Sequence, residues 1–220
     1  MTRIKICGLS QVHHALIAAE AGADFIGMVF AQSKRQVSAE LARQITEAMR
    51  SHNSHPSLVG VFANSAVDEV NSIGEYCQLD WIQLSGDESW DYCQQIKKPI
   101  IKTIHIEPVS TTEDVINEIS QGRKLISNDK LIFLLDTGGG DSYGGTGQVF
   151  NWQVAKEISA KLPVIVAGGL TPDNVSQLIN EVNPWGVDVS SGVESNDVKS
   201  DVKIRDFIRA VRQAQRATTY

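Results

Sequence analysis

The sequence predicts an α/β protein built as a closed (β/α)8 barrel. Short apolar runs of β type alternate with longer stretches of helical period, and the alternation repeats eight times. The length of 220 residues suits that fold and leaves little room for a second domain, so one barrel domain over 1–220 is expected. An open doubly wound sheet is the competing architecture. Against its dinucleotide-binding form, no G-x-G-x-x-G follows the first run, and the glycine-rich GGGDSYGGTG (138–147) lacks the lysine of a Walker-type loop.

Taken in order, RIKIC (3–7) opens the chain, with Lys5 and Cys7 on one face and Ile4 and Ile6 on the other. VHHALIAAEAG follows with apolar residues three and four apart, and Gly22 is its stop. FIGMVF (25–30) leads into the helical SAELARQITEAMR, and SLVGVFA (57–63), WIQLS (81–85) and IIKTIHI (100–106) are the next strand candidates. The polar connection from Glu107 to Lys130 shows no clear period and leaves room for a long loop at the site. LIFLLD (131–136), the helical NWQVAKEISAK and PVIVAG (163–168) come next. In TPDNVSQLINEV, Thr171 reads as an N-cap and Pro172 as the first helical residue. GVDVSS (186–191) and the amphipathic DVKIRDFIRAVRQAQ close the pattern.

Composition excludes several classes. A net charge of −6 and a pI near 5.4 oppose general attraction to nucleic acid or anionic membrane. No apolar run approaches the roughly 20 residues of a membrane span, and the N-terminus shows no secretory pattern. Cys7, Cys77 and Cys93 form neither a C-x-x-C pair nor a zinc-like cluster, so neither a disulfide framework nor a structural metal is expected, and a reducing cytoplasm fits best. His52 and His55 are spaced like ligands but lie in a helix-to-strand connection, away from the catalytic face.

A barrel of this kind places its site at the C-terminal ends of its strands. Cys7 ends the first run, either as a small buried hydrophobe or as a base or nucleophile whose thiolate needs nearby positive charge. Lys5 lies one layer deeper on the same face, and Asp188 on the last strand is a possible partner for it. Asp136 ends the very apolar LIFLLD; it either organises the following turn or, with its pKa raised by hydrocarbon, serves as a general acid. Gly168 and Gly169 after the seventh strand, with Ser190, Ser191 and Gly192 after the eighth, have the makings of a barrel phosphate cradle. A phosphorylated small molecule is then the expected substrate. Arg35 follows the second strand, where a guanidinium can hold a substrate carboxylate, although a solvated arginine is equally ordinary.

KICGL, the S-x-R of Ser33 to Arg35, VGVFAN, IQLSGDE, LLD with GGTG and NW, AGGLTPDNV and VDVSSGVES occur in an order that resembles the phosphoribosylanthranilate isomerases over essentially the whole chain. The resemblance implies a (β/α)8 barrel that performs an Amadori rearrangement in tryptophan biosynthesis, with Cys7 as general base, Asp136 as general acid and Arg35 on the anthranilate carboxylate. It assigns the phosphate to Gly169 and its neighbours and to Ser190, Ser191 and Gly192. No metal or other cofactor is required, and either a monomer or a homodimer is compatible. Two departures stand out: Ser85 replaces the histidine of Q-L-H-G, and ESNDVKSD replaces a glycine-containing segment. A related aminoimidazole-ribonucleotide isomerase would resemble this chain less, having aspartate where Cys7 stands. A non-catalytic phosphate-binding barrel or scaffold would need neither Cys7 nor Asp136.

Overall fold

Each apolar β-branched run of the sequence becomes a strand, and the eight strands close on themselves in chain order. They are β1 (Arg3–Ile6), β2 (Phe25–Val29), β3 (Ser57–Phe62), β4 (Trp81–Leu84), β5 (Ile100–Ile106), β6 (Leu131–Thr137), β7 (Val164–Val166) and β8 (Gly186–Val189). All are parallel, and β1 meets β8 in the register Lys5↔Asp188. The computed structural model describes residues 1–106, 111–137 and 152–217. The glycine-rich stretch 138–147 and Asn151, both singled out in the sequence, lie outside them.

The intervening helices are α1 (Val12–Ala21), α2 (Ala39–Arg50), α3 (Val67–Tyr76), α4 (Trp90–Cys93), α5 (Thr112–Leu125), α6 (Trp152–Ser159), α7 (Val175–Val182) and α8 (Asp201–Ala217). Gly22 ends α1 in the left-handed region at φ 100°, as its position predicts. Ser38 caps α2 by accepting the Leu41 N–H. The connection from 107 to 130, which shows no clear period in the sequence, contains α5, started by a reciprocal capping box between Thr111 and Asp114. Val115, Ile119 and Gly122 supply its narrow buried face, and Gly122 seats the Trp90 ring.

The expected start of α7 at Thr171 and Pro172 is corrected. The helix begins at Val175 behind Asn174. Asn174 Oδ1 accepts the Thr171 N–H at 2.8 Å and its Nδ2 donates to the Gly169 carbonyl at 2.9 Å. Residues 171–174 are therefore a turn that holds the loop after β7 in place.

Period-2 alternation divides the buried residues into two layers. Ile4, Ile6, Ile26, Met28 and Leu58 face outward into the layer under the helices. Phe25, Val59, Ile101, Leu134, Ile165 and Ala167 face inward, with Trp81 and Trp185 packed beneath them. This inner plug fills the N-terminal half of the barrel with hydrocarbon. Toward the strand C-termini the inner face turns polar, with Gln83, Ser85, His105 and Asp136 lining the cavity there. A short antiparallel hairpin, β9 (Glu194–Ser195) and β10 (Val198–Lys199), stands beside that end.

Candidate active site

The open end of the barrel is a cavity of about 790 Å³, within the range of small-molecule sites. Cys7, Arg35, Gln83, Ser85, His105 and Asp136 line it, together with Gly168, Gly169, Asp188, Ser190 and Ser191. Residues from all parts of the chain thus reach one space.

Cys7 is held directly after β1, its N–H donating to the Val189 carbonyl at 2.8 Å, and is only 6% exposed. Gly8 follows at φ +74°, and a Cβ there would stand 2.6 Å from Arg35 Cδ. Glycine after the cysteine therefore lets the arginine lie across the strand's end. Lys5 is fully buried and donates to Asp188 Oδ1 at 2.9 Å, which establishes the partner that the register and alternation suggest. Gly27 on β2 opens space for both groups: a methyl there would lie 3.0 Å from Cys7 Sγ and 3.2 Å from Lys5 Nζ.

Burial pushes the Cys7 thiol above its usual range, and the Lys5 ammonium offsets only part of that rise. Burial also opposes the charge on Lys5, but Asp188 and the neighbouring sulfur outweigh it and hold the lysine protonated. The Cys7 sulfur thus lies beside a buried cation, whose attraction for a thiolate opposes the cost of burying one.

Arg35 reaches the cavity, but its Nε and Nη2 donate to Glu194 Oε1 and Oε2 at 2.6 and 2.8 Å. The sequence suggests a guanidinium awaiting a ligand carboxylate; the fold already gives it a protein one, engaging two of its five N–H groups. Glu194 also accepts from Lys199 Nζ at 2.7 Å, and that lysine reaches on to the Ser190 carbonyl at 2.9 Å. Burial alone would raise the Glu194 carboxyl, yet hydrogen bonds from Arg35 and Lys199 pull it down to about 2. Lys34 and Asp197 form a second, exposed ion pair between the same loops.

Gly168 and Gly169 adopt φ of 98° and 63°, a conformation that turns the chain sharply after β7. Ser190 and Ser191 face them across the end of β8, where a short 3-10 turn (Ser191–Val193) begins. Gly192 differs from the other cradle positions. It does not line the cavity; a Cβ there would stand 1.8 Å from the Leu170 carbonyl, so this glycine packs the two loops together.

Asp136, next to last in β6 and in register with His105, is half-buried and lines the same cavity. Between it and β3 runs a chain of neutral polar groups. Gln83 Nε2 donates to Ser85 Oγ at 3.0 Å, and Ser85 Oγ lies 3.0 Å from Thr103 Oγ1. Gln83 Oε1 is buried and has no hydrogen-bond partner among the described residues. Ser85, a departure from the family pattern, is thus part of a hydrogen-bonded row.

Sequence reasoning missed Glu194, Lys199 and Gln83. The available signals were two charges in the odd segment after VSSGV and an inward-facing amide two residues before Ser85.

An apolar plug at one end and a polar, lined mouth at the other define a class: this is a (β/α)8-barrel enzyme. Residues 4–210 match the family model described as N-(5'phosphoribosyl)anthranilate (PRA) isomerase. An N-(5'-phosphoribosyl)anthranilate isomerase from Dehalococcoides mccartyi is 50% identical over 214 residues, covering 97% of this chain and 97% of its own. A solved phosphoribosyl anthranilate isomerase in complex with reduced 1-(o-carboxyphenylamino)-1-deoxyribulose 5-phosphate superposes with TM-score 0.79 at 32% identity, covering 97% of this chain and 100% of that one. Monomers generated from the dimeric phosphoribosylanthranilate isomerase of Thermotoga maritima give TM-score 0.78 at 31% identity, with the same coverage. The chain belongs to the phosphoribosylanthranilate isomerase family.

Proposed function

We propose that Cys7 and Asp136 are the base and acid with which this isomerase converts N-(5'-phosphoribosyl)anthranilate into 1-(2-carboxyphenylamino)-1-deoxyribulose 5-phosphate, an Amadori step of tryptophan biosynthesis. The observation that carries the assignment is their convergence, from the first and sixth strands, on a single cavity that also contains the glycine and serine loops. Asp136 donates a proton to the ribose ring oxygen. The C1'–oxygen bond breaks as the aryl nitrogen's lone pair forms an iminium. The Cys7 thiolate then takes the proton from C2', and the electron pair of that C–H bond neutralises the iminium to give an enolamine, which tautomerises to the aminoketone.

Backbone N–H groups of Gly168, Gly169 and Ser191, with the hydroxyls of Ser190 and Ser191, hold the phosphate far from the reacting carbons and so fix the sugar between the two groups. Gly192 serves by keeping those loops in contact. Arg35, oriented by Glu194, receives the anthranilate carboxylate with its remaining N–H groups. Lys5 is the cation that makes a buried thiolate accessible at all.

The protein functions in the cytoplasm as a monomer or homodimer, a reading supported by three buried free thiols and by the dimeric Thermotoga relative. Supplying phosphoribosylanthranilate and following its fluorescence tests the activity: turnover is expected, and folded protein that produces none overturns the reading.

A further inference from the structure

Away from the mouth, the first turn of α1 meets the first residue of α8. His13 Nε2 lies 2.7 Å from Asp201 Oδ2, and His14 Nε2 lies 3.4 Å from Asp201 Oδ1. The three side chains hold their ligating atoms within 4.8 Å of one another. Asp201 Oδ1 is itself buried and makes no hydrogen bond among the described residues. A buried carboxylate oxygen facing an imidazole nitrogen without a hydrogen bond is costly unless something positive completes it.

We propose that His13, His14 and Asp201 bind one divalent transition-metal ion of the zinc class, stapling the first helix to the last. The spacing suits it. Ligand atoms around tetrahedral zinc, at bonds of roughly 2.0–2.1 Å, stand about 3.3 Å apart. The His14–Asp201 gap already has that width, and the exposed His13 ring can rotate to open the other. His13 and Asp201 face solvent, so water can complete the fourth position.

The environment favours such an ion over magnesium or calcium. His14 is buried and presents Nε2 toward Asp201 Oδ1, so the donor set offers two imidazole nitrogens and one carboxylate. The positive ends of two helices and Lys199 repel any cation held by charge alone. Two imidazoles repay that repulsion only for metals that bind nitrogen strongly. The linked residues are 188 positions apart, so the clip closes almost the whole chain into a loop and stabilises the folded state.

Titrating the whole protein with Zn2+, Co2+ and Mg2+ by calorimetry, visible spectroscopy and thermal unfolding tests this. One Zn2+ per chain is expected to bind and raise Tm, Mg2+ to do neither, and Co2+ to give tetrahedral ligand-field bands without the near-ultraviolet thiolate band that binding at Cys7 would produce. His13→Ala, at an exposed position that leaves folding intact, and Asp201→Asn should each weaken Zn2+ by at least the roughly 10–100-fold typical of losing even an outer partner. His52→Ala should change nothing. Absence of Zn2+ binding, binding that survives both substitutions, binding without a rise in Tm, or a thiolate band each overturns the proposal.

Discussion

The two sides of the barrel mouth are built from different materials. Around β1 and β8 stand full charges locked in pairs: Lys5 with Asp188, and Arg35 and Lys199 with Glu194. Across the cavity, Gln83, Ser85 and Thr103 on and beside β4 and β5 present a hydrogen-bonded amide and two hydroxyls. The contrast follows from the proposed division of labour. A thiolate must be stabilised by positive charge, whereas a carboxyl group that has to keep its proton is better served by neutral dipoles, because an adjacent cation would ionise it.

The most severe way to break that contrast is to remove the two titrating groups. Cys7→Ser and Asp136→Asn should each lower kcat/KM by roughly 100-fold or more and abolish one limb of its bell-shaped pH profile, the acidic limb for Cys7 and the basic limb for Asp136. Near-normal turnover by Asp136→Asn with an unchanged profile shows that another donor opens the ring.

Lys5→Met attacks the charged side alone. Since Lys5 lowers the Cys7 pKa against burial, its loss should move the acidic limb to higher pH, with activity recovering in alkali by about tenfold per unit. It also orphans Asp188, at a stability cost of about 3–5 kcal/mol in chemical denaturation. Adding Asp188→Asn should restore much of the stability and, because Asp188 itself raises the thiol, return the limb only part of the way. An unmoved limb shows that Lys5 does not face the thiolate.

Glu194→Gln loosens the neighbouring network. The Glu194 carboxyl titrates at about 2 against an ordinary 4.5, so its contribution is complete above pH 4.5 and disappears as pH falls toward 2. Wild-type stability should therefore decline more steeply than that of Glu194→Gln across this window, the two curves approaching each other at the acid end. Parallel curves remove Glu194 from the acid response. The same variant should raise KM more for substrate than for an analogue without the aryl carboxylate.

The smallest effect is expected on the neutral side. Gln83→Leu removes the donor to Ser85 and the unpartnered Oε1 together, so stability should change by about 1 kcal/mol or less. The pH limbs should stay where they are. A limb shift comparable to that of Lys5→Met would erase the distinction between the two sides.

The same two sides differ in how far they could be anticipated. Eight strands were legible because β-branched runs with period 2 are a local property, and the pairing of Lys5 with Asp188 followed once both were placed on the inner face of adjacent strands. Helix α5 was obscured because its sequence is mostly polar and buries only a narrow stripe, leaving a Thr-x-x-Asp cap as the main signal. Glu194 and Arg35 are 159 positions apart, and no local pattern announces that a hairpin will bring them together. Gly192 was read as part of a cradle of backbone N–H groups and hydroxyls; that it also lets the Leu170 carbonyl pack against it depends on a loop contact no local pattern announces.

The meeting of β1 with β8 makes catalysis a report on ring closure. Lys5 and Asp188 are separated by 183 positions, and the arginine-binding hairpin is encoded later still. A nascent polypeptide with seven strands docked still has Cys7, but beside a lysine without its counterion and an arginine without its clamp. Contacts of such high order form late. The surroundings proposed to make Cys7 a base are therefore complete only when the last strand pairs with the first.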